Sequence, residues 1–154
     1  MSRRLFIPLA LCVAAGVLLA AWYFGGNMLG GGAAAGMDPR DAGKVALGAG
    51  LYVEHCASCH GAELEGQPDW RQRGPDGRLP APPHDGGGHT WHHPPEQLFA
   101  ITKFGPAALI GGDYRSDMPA YQGILSDAEI WAVLSYIKSR WPEEIRARHD
   151  TIGR

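Results

Sequence analysis

Cysteine is scarce in this chain, with three residues in 154, at Cys12, Cys56 and Cys59. Cys12 falls inside an uncharged run, and the other two stand too close together to build a disulfide framework. A small cross-linked secreted scaffold is therefore excluded. There is no surplus of positive charge either. Lys and Arg number 14 against 16 Asp and Glu, and Arg3 and Arg4 are two of those basic residues, so residues 37–154 carry 12 against 16, a formal −4. No nucleic-acid partner is expected from such a balance. Runs of alternating apolar and polar residues are missing, as are internal repeats, so an all-α chain is expected.

One long hydrophobic run is present. Residues 5–24, "LFIPLALCVAAGVLLAAWYF", carry no charge. At ~1.5 Å per residue, twenty helical residues span ~30 Å, the thickness of a bilayer's hydrocarbon core. Arg3 and Arg4 precede the run, which keeps the N-terminus in the cytoplasm and sends the rest across. A cleaved secretory segment usually has a shorter apolar core, ~7–15 residues. The expectation is thus a retained single-pass anchor over residues 1–24, in the inner membrane, with the folded part on the periplasmic side. Cys12 follows the bulky Leu11 and has apolar sequence well beyond it, so it reads as part of the membrane helix and not as a lipidation site. Residues 25–36, "GGNMLGGGAAAG", form a Gly- and Ala-rich linker. A single domain follows over residues 37–154.

That domain opens with Asp38 as a helix cap and Pro39 in its first turn. Leu47, Leu51, Tyr52 and His55 recur at helical spacing, which predicts a helix running into the cysteines. Between Gly61 and Thr90 the density of proline and glycine leaves no regular element. So long a structureless stretch is unusual unless it is functional or wraps a ligand. A short helix is predicted over residues 93–105, then a loop to residue 125. Ser126 and Glu129 form a capping box, and Ile130, Val133, Leu134 and Ile137 make the apolar stripe of a helix flanked by Trp131 and Tyr136. "PEEIRARHD" after it reads as one more short helix, acidic first and basic last.

Within "VEHCASCHGAELEG", Cys56, Cys59 and His60 stand at i, i+3 and i+4, which places all three side chains on one face of a helical turn. C-x-x-C-H is a c-type haem attachment signal. The two sulfurs form thioethers, and the histidine Nε2 ligates the iron. A thioredoxin-like motif would need βαβ surroundings, and a zinc site would need further ligands at short spacing. The compartment agrees, because the domain lies outside the cytoplasm.

From about Asp38 to about Trp141 the sequence resembles the small monohaem c-type cytochromes of class I fold. Gly48 and Tyr52 match the glycine and aromatic that precede the first cysteine in that family. Val133 and Tyr136 match their partners on the last helix, which the first helix crosses at close range. "APPHDG" resembles the family's proline segment, in which Pro82 or Pro83 would lend a backbone carbonyl to the second nitrogen of His60. "SDMPAYQG" resembles the ligand loop. The resemblance implies Met118 as the sixth ligand, the one methionine after the haem motif, with Pro119 restraining its backbone.

What the resemblance implies is a non-enzymatic electron carrier with one covalent haem c, held by Cys56, Cys59, His60 and Met118, with His60 and Met118 on the iron. It would work between membrane complexes of a respiratory or photosynthetic chain. Its donor would be a quinol-oxidising complex or dehydrogenase, and its acceptor a terminal oxidase or reductase. Two other readings stay open: a ligand-binding or sensor haem protein with a labile sixth position, and an accessory cytochrome subunit of a larger membrane complex. His84, His89, His92 and His93 lie within ten residues. They suggest either a second metal site, copper among the candidates, or a polar loop bonding haem propionates and water. Any of the four is also a rival sixth ligand.

Overall fold

A computed structural model describes residues 36–152. The expected anchor at residues 5–24 and nearly all of the linker lie outside them. Among the described residues no helix is long and apolar enough to cross a membrane. Six α-helices appear there: α1 Ala42–His55, α2 Ala57–His60, α3 Pro95–Phe104, α4 Pro106–Ile110, α5 Asp127–Ser139 and α6 Glu143–His149, with a 3₁₀ turn at Thr90–His92. Among these residues the only bridge is an isolated pair, Gln122 with Leu125.

The cap of α1 is not Asp38. Asp41 takes the role, its Oδ1 accepting from Lys44 N at 3.0 Å. Asp38 instead accepts from Arg40 N at 3.0 Å in a tight turn, while its own N–H donates to Ser135 Oγ at 2.9 Å on α5. The long-range bond fixes the turn at Asp38–Pro39, and the next aspartate begins the helix. α1 breaks at Cys56, where φ is −120°, and one further turn, α2, carries the motif to His60.

α5 begins at the expected capping box, with Ser126 Oγ accepting from Glu129 N at 3.3 Å and Glu129 Oε2 accepting from Ser126 N at 2.8 Å. Its stripe Ile130, Val133, Leu134 and Ile137 is buried. Trp131 stacks on Phe99 of α3 with centroids 4.5 Å apart, and Tyr136 meets Tyr52 of α1 at 5.4 Å. α1 and α5 pass so closely that a Cβ on Gly48 would lie 1.9 Å from the Ala132 carbonyl oxygen and 3.0 Å from Tyr136 Cβ. Of the two partner positions read from the sequence, Tyr136 is in direct contact. The tightest contact is the backbone of Ala132 rather than Val133, which lies in the shared core.

The helix expected over residues 93–105 is shorter, Pro95–Phe104, because His93 and Pro94 are extended. The loop expected after it holds the five-residue α4, started by Pro106, with no buried side chain. The C-terminal segment then returns across the proline-rich region. Buried Trp141 donates Nε1–H to His84 O at 2.7 Å, and His149 on α6 bonds His93 O through Nε2 at 3.0 Å.

Candidate haem site

His60 ends α2 and is buried. Its Nδ1 lies 2.8 Å from Pro82 O. A carbonyl only accepts, so Nδ1 carries the proton and Nε2 is left with a bare lone pair. This selects Pro82 over Pro83 as the source of the carbonyl. Burial lowers the His60 pKa, with the Pro82 bond opposing, so the ring is neutral at neutral pH and able to donate to a metal.

Cys56 is partly buried and Cys59 exposed, and the two form no disulfide. Burial, chiefly, pushes the Cys56 thiol up to about 11, with Cys59 adding and the Tyr121 hydroxyl opposing. Exchange-active thiols have depressed values, the opposite of what burial does to Cys56. Two thiols three apart beside a neutral imidazole with a free Nε2 fit the attachment of a haem.

The proline segment is held in register by a narrow gap. Gly66 sits at φ +69°, and a Cβ there would come within 2.4 Å of Pro83 N. Gly66 N–H donates to His60 O at 2.7 Å and Gln67 N–H to Ala81 O at 2.8 Å, so the segment returning at Ala81 is stitched to the residues just after the motif.

Met118 is half-buried and packs against the core. Its loop is fastened downstream. Tyr121 N–H donates to Thr102 O at 3.2 Å and Gln122 N–H to Lys103 O at 2.9 Å. The Tyr121 hydroxyl donates to His55 O at 2.6 Å, across 66 residues of sequence. The methionine loop is thereby tied to the residue immediately before Cys56. Nothing in the sequence reading pointed to Tyr121. An aromatic three residues after the methionine was the available signal, and only the folded contact gives it a role.

The four clustered histidines separate. His84 Nδ1 lies 2.8 Å from Thr90 Oγ1, and its ring stacks on His60 with centroids 3.9 Å apart. His89 stacks on Trp70 at 5.2 Å and meets His93 edge-on at 5.3 Å, while His92 lies on Trp91 at 3.7 Å. Among the described residues no group of three His, Cys, Asp or Glu side chains is disposed to hold a metal ion. His84 lies flat against the ring of His60, so it cannot reach a position opposite it on the same iron.

A model of the Cytochrome c family matches residues 45–141, well over half of the chain, and the protein belongs to that family. No curated protein and no solved structure matches it. It is a c-type cytochrome, a haem-based electron carrier whose cofactor is covalent haem c, and the Cys56–Cys59 pair with His60 supplies the attachment motif.

Proposed function

We propose that this chain is a membrane-held, single-haem electron carrier in which Cys56 and Cys59 fix the haem and His60 and Met118 close the iron. The observation that carries this is the buried, neutral His60 with its Nδ1–H bound to Pro82 O at 2.8 Å and its Nε2 free. Bound there, haem supplies one-electron chemistry with little change of structure. The residues of the chain do the rest. Pro82 fixes the tautomer and basicity of the ligand. Tyr121 holds the methionine loop to the residue before the motif. With His60 and Met118 both holding it, the haem would have a raised reduction potential and no open position for substrate, which suits a carrier rather than a catalyst.

The apolar run at residues 5–24, with Arg3 and Arg4 before it, supports retention in the inner membrane with the haem domain on the periplasmic side. A tether of this kind raises the local concentration of membrane-bound partners without any docking face of high charge. The donor in this reading is a quinol-oxidising complex or dehydrogenase, and the acceptor an oxidase or reductase.

The sixth ligand decides the reading. The oxidised protein should show the weak far-red band of sulfur-to-iron charge transfer. Met118→Ala should lose the band, keep its haem through acid–organic extraction, and bind carbon monoxide once reduced. A wild type that lacks the band and binds carbon monoxide readily belongs instead with the ligand-binding haem proteins.

A further inference from the structure

The bond from His60 Nδ1 to Pro82 O fixes where one corner of the imidazole points. It does not fully fix the ring plane, because the histidine χ2 torsion is broad and a single hydrogen bond tolerates rocking of the ring. A second contact takes up that freedom. The His84 ring lies on the face of His60, with centroids 3.9 Å apart and 22° between the planes.

His84 is itself pinned. Its N–H donates to Leu64 O at 2.7 Å, and its carbonyl accepts from Trp141 Nε1 at 2.7 Å. Its Nδ1 meets the buried Thr90 Oγ1 at 2.8 Å, and Thr90 Oγ1 lies 3.4 Å from Pro83 O. Pro83 O accepts only, so the Thr90 hydroxyl proton goes there and its oxygen accepts from His84 Nδ1–H. Side chain and backbone of His84 are thus both bonded in place, with a flat face turned to His60.

We propose that His84 is a positioning residue that sets the plane of the His60 imidazole. The inference rests on His60 as an axial ligand, and it deepens that reading. The plane of an axial imidazole determines which iron d orbital it overlaps, and so how unpaired spin is distributed over the porphyrin of the oxidised protein. Contacts of this kind orient metal ligands and tune the metal.

The test is the proton spectrum of the oxidised holoprotein, in which the four haem methyl resonances report that distribution. His84→Leu, which removes the flat partner, should reorder the four methyl shifts or narrow their spread. His84→Phe, which keeps a flat ring but loses the bond to Thr90, should move the pattern clearly less than His84→Leu does. Thr90→Val preserves shape and removes the hydroxyl that orients His84. It should move the pattern in the same direction as His84→Leu, by less, and it stands in if His84→Leu does not accumulate. A pattern unmoved in His84→Leu and in Thr90→Val, even with thermal stability lowered, overturns the proposal. Spectra of the reduced proteins separate the two levels. Strongly upfield-shifted histidine ring and methionine methyl signals in the wild type establish the ligands. Their absence overturns the ligand assignment and this inference together, whereas their presence with unmoved haem methyl shifts overturns the inference alone.

Discussion

Two loop regions serve the haem motif, and they are held in contrasting ways. Residues 61–67 and 81–93 are bonded to the motif and to each other, with His60 to Pro82, Gly66 to His60, Gln67 to Ala81 and His84 to Leu64. The C-terminal segment clamps them again through Trp141 and His149. Residues 106–120 have a sparser lattice made by side chains, with Arg115 donating to Asp76 O at 2.5 Å and Asp117 pairing with Arg78 at 3.3 Å. α4 buries no side chain, Leu109 and Ile110 are exposed, and the Met118 N–H donates only locally, to Ser116 Oγ at 3.1 Å. Firm attachment resumes at Tyr121. The histidine side is therefore organised by the polypeptide itself. The methionine side is organised at its exit, and in the proposed reading Met118 would complete it on the iron.

The strongest way to break this contrast is Trp141→Ala. Trp141 is 2% exposed and fills the space between the last helices and the proline segment. Removing so large a buried side chain costs about 3–5 kcal/mol, and it leaves His84 O without its donor. Chemical denaturation of the holoprotein should show that loss. The wild-type far-red band should persist in the folded fraction, because the methionine loop does not depend on Trp141. Simultaneous loss of the band would mean that the two regions are one unit.

Next in size is Met118→Ala, which sharpens the contrast from the other end. Met118 is only half-buried, so its packing contributes less than a core methionine, under about 2 kcal/mol. The larger consequence is local. Amide hydrogen exchange should quicken over residues 106–120 and stay slow over 81–93. Equal loosening of both regions would show that the iron–sulfur bond, and not the backbone lattice, holds the histidine side.

A smaller effect is expected from Tyr121→Phe, which removes one hydroxyl and its bond to His55 O. A hydrogen bond of this kind contributes about 0.5–1.5 kcal/mol net, and the orphaned carbonyl adds to the loss. The variant should need less cyanide than the wild type to displace the sixth ligand, with the Pro82 side unaffected. Unchanged cyanide affinity would remove Tyr121 from the ligand loop's support.

The unequal legibility of the two regions has the same origin. C-x-x-C-H, Gly48 with Tyr52, and the Ser126–Glu129 box are local patterns, in which residues a few positions apart do one job. They were readable, and the α1–α5 frame follows from them. Pro82 could be narrowed only to a pair of prolines, since the choice depends on which carbonyl faces His60 after the chain has turned. The Asp41 cap was missed because Asp38 carries an equally good local signal and loses the role to a tertiary bond with Ser135. The His84 stack and the Tyr121–His55 bond were invisible for a stronger reason. Each joins residues tens of positions apart, and no periodicity records such a meeting.

The last prediction concerns pH and touches only the clamped region. His149 is 1% exposed; its Nε2 bonds His93 O, and its Nδ1 is buried without a partner. Since the His93 carbonyl accepts, Nε2 holds the proton and Nδ1 is bare. Burial chiefly, with Lys138 adding, lowers its pKa below the ordinary 6.5, against weaker opposing effects from the His93 bond, Asp150 and Glu96. A base whose folded pKa is depressed binds fewer protons folded than unfolded, so its contribution is fully present above the unfolded value and declines as pH falls below it. Stability to denaturant should therefore decrease as pH drops from 7.5 through 6.5 toward 5.5. His149→Gln keeps an N–H for His93 O and removes the titrating nitrogen, so it should flatten that slope while leaving Met118-dependent absorption untouched. His84 and His89 are depressed as well, again first by burial, so some slope should survive the substitution. A slope identical in wild type and His149→Gln would place the pH dependence on other groups and remove His149 from the clamp's chemistry.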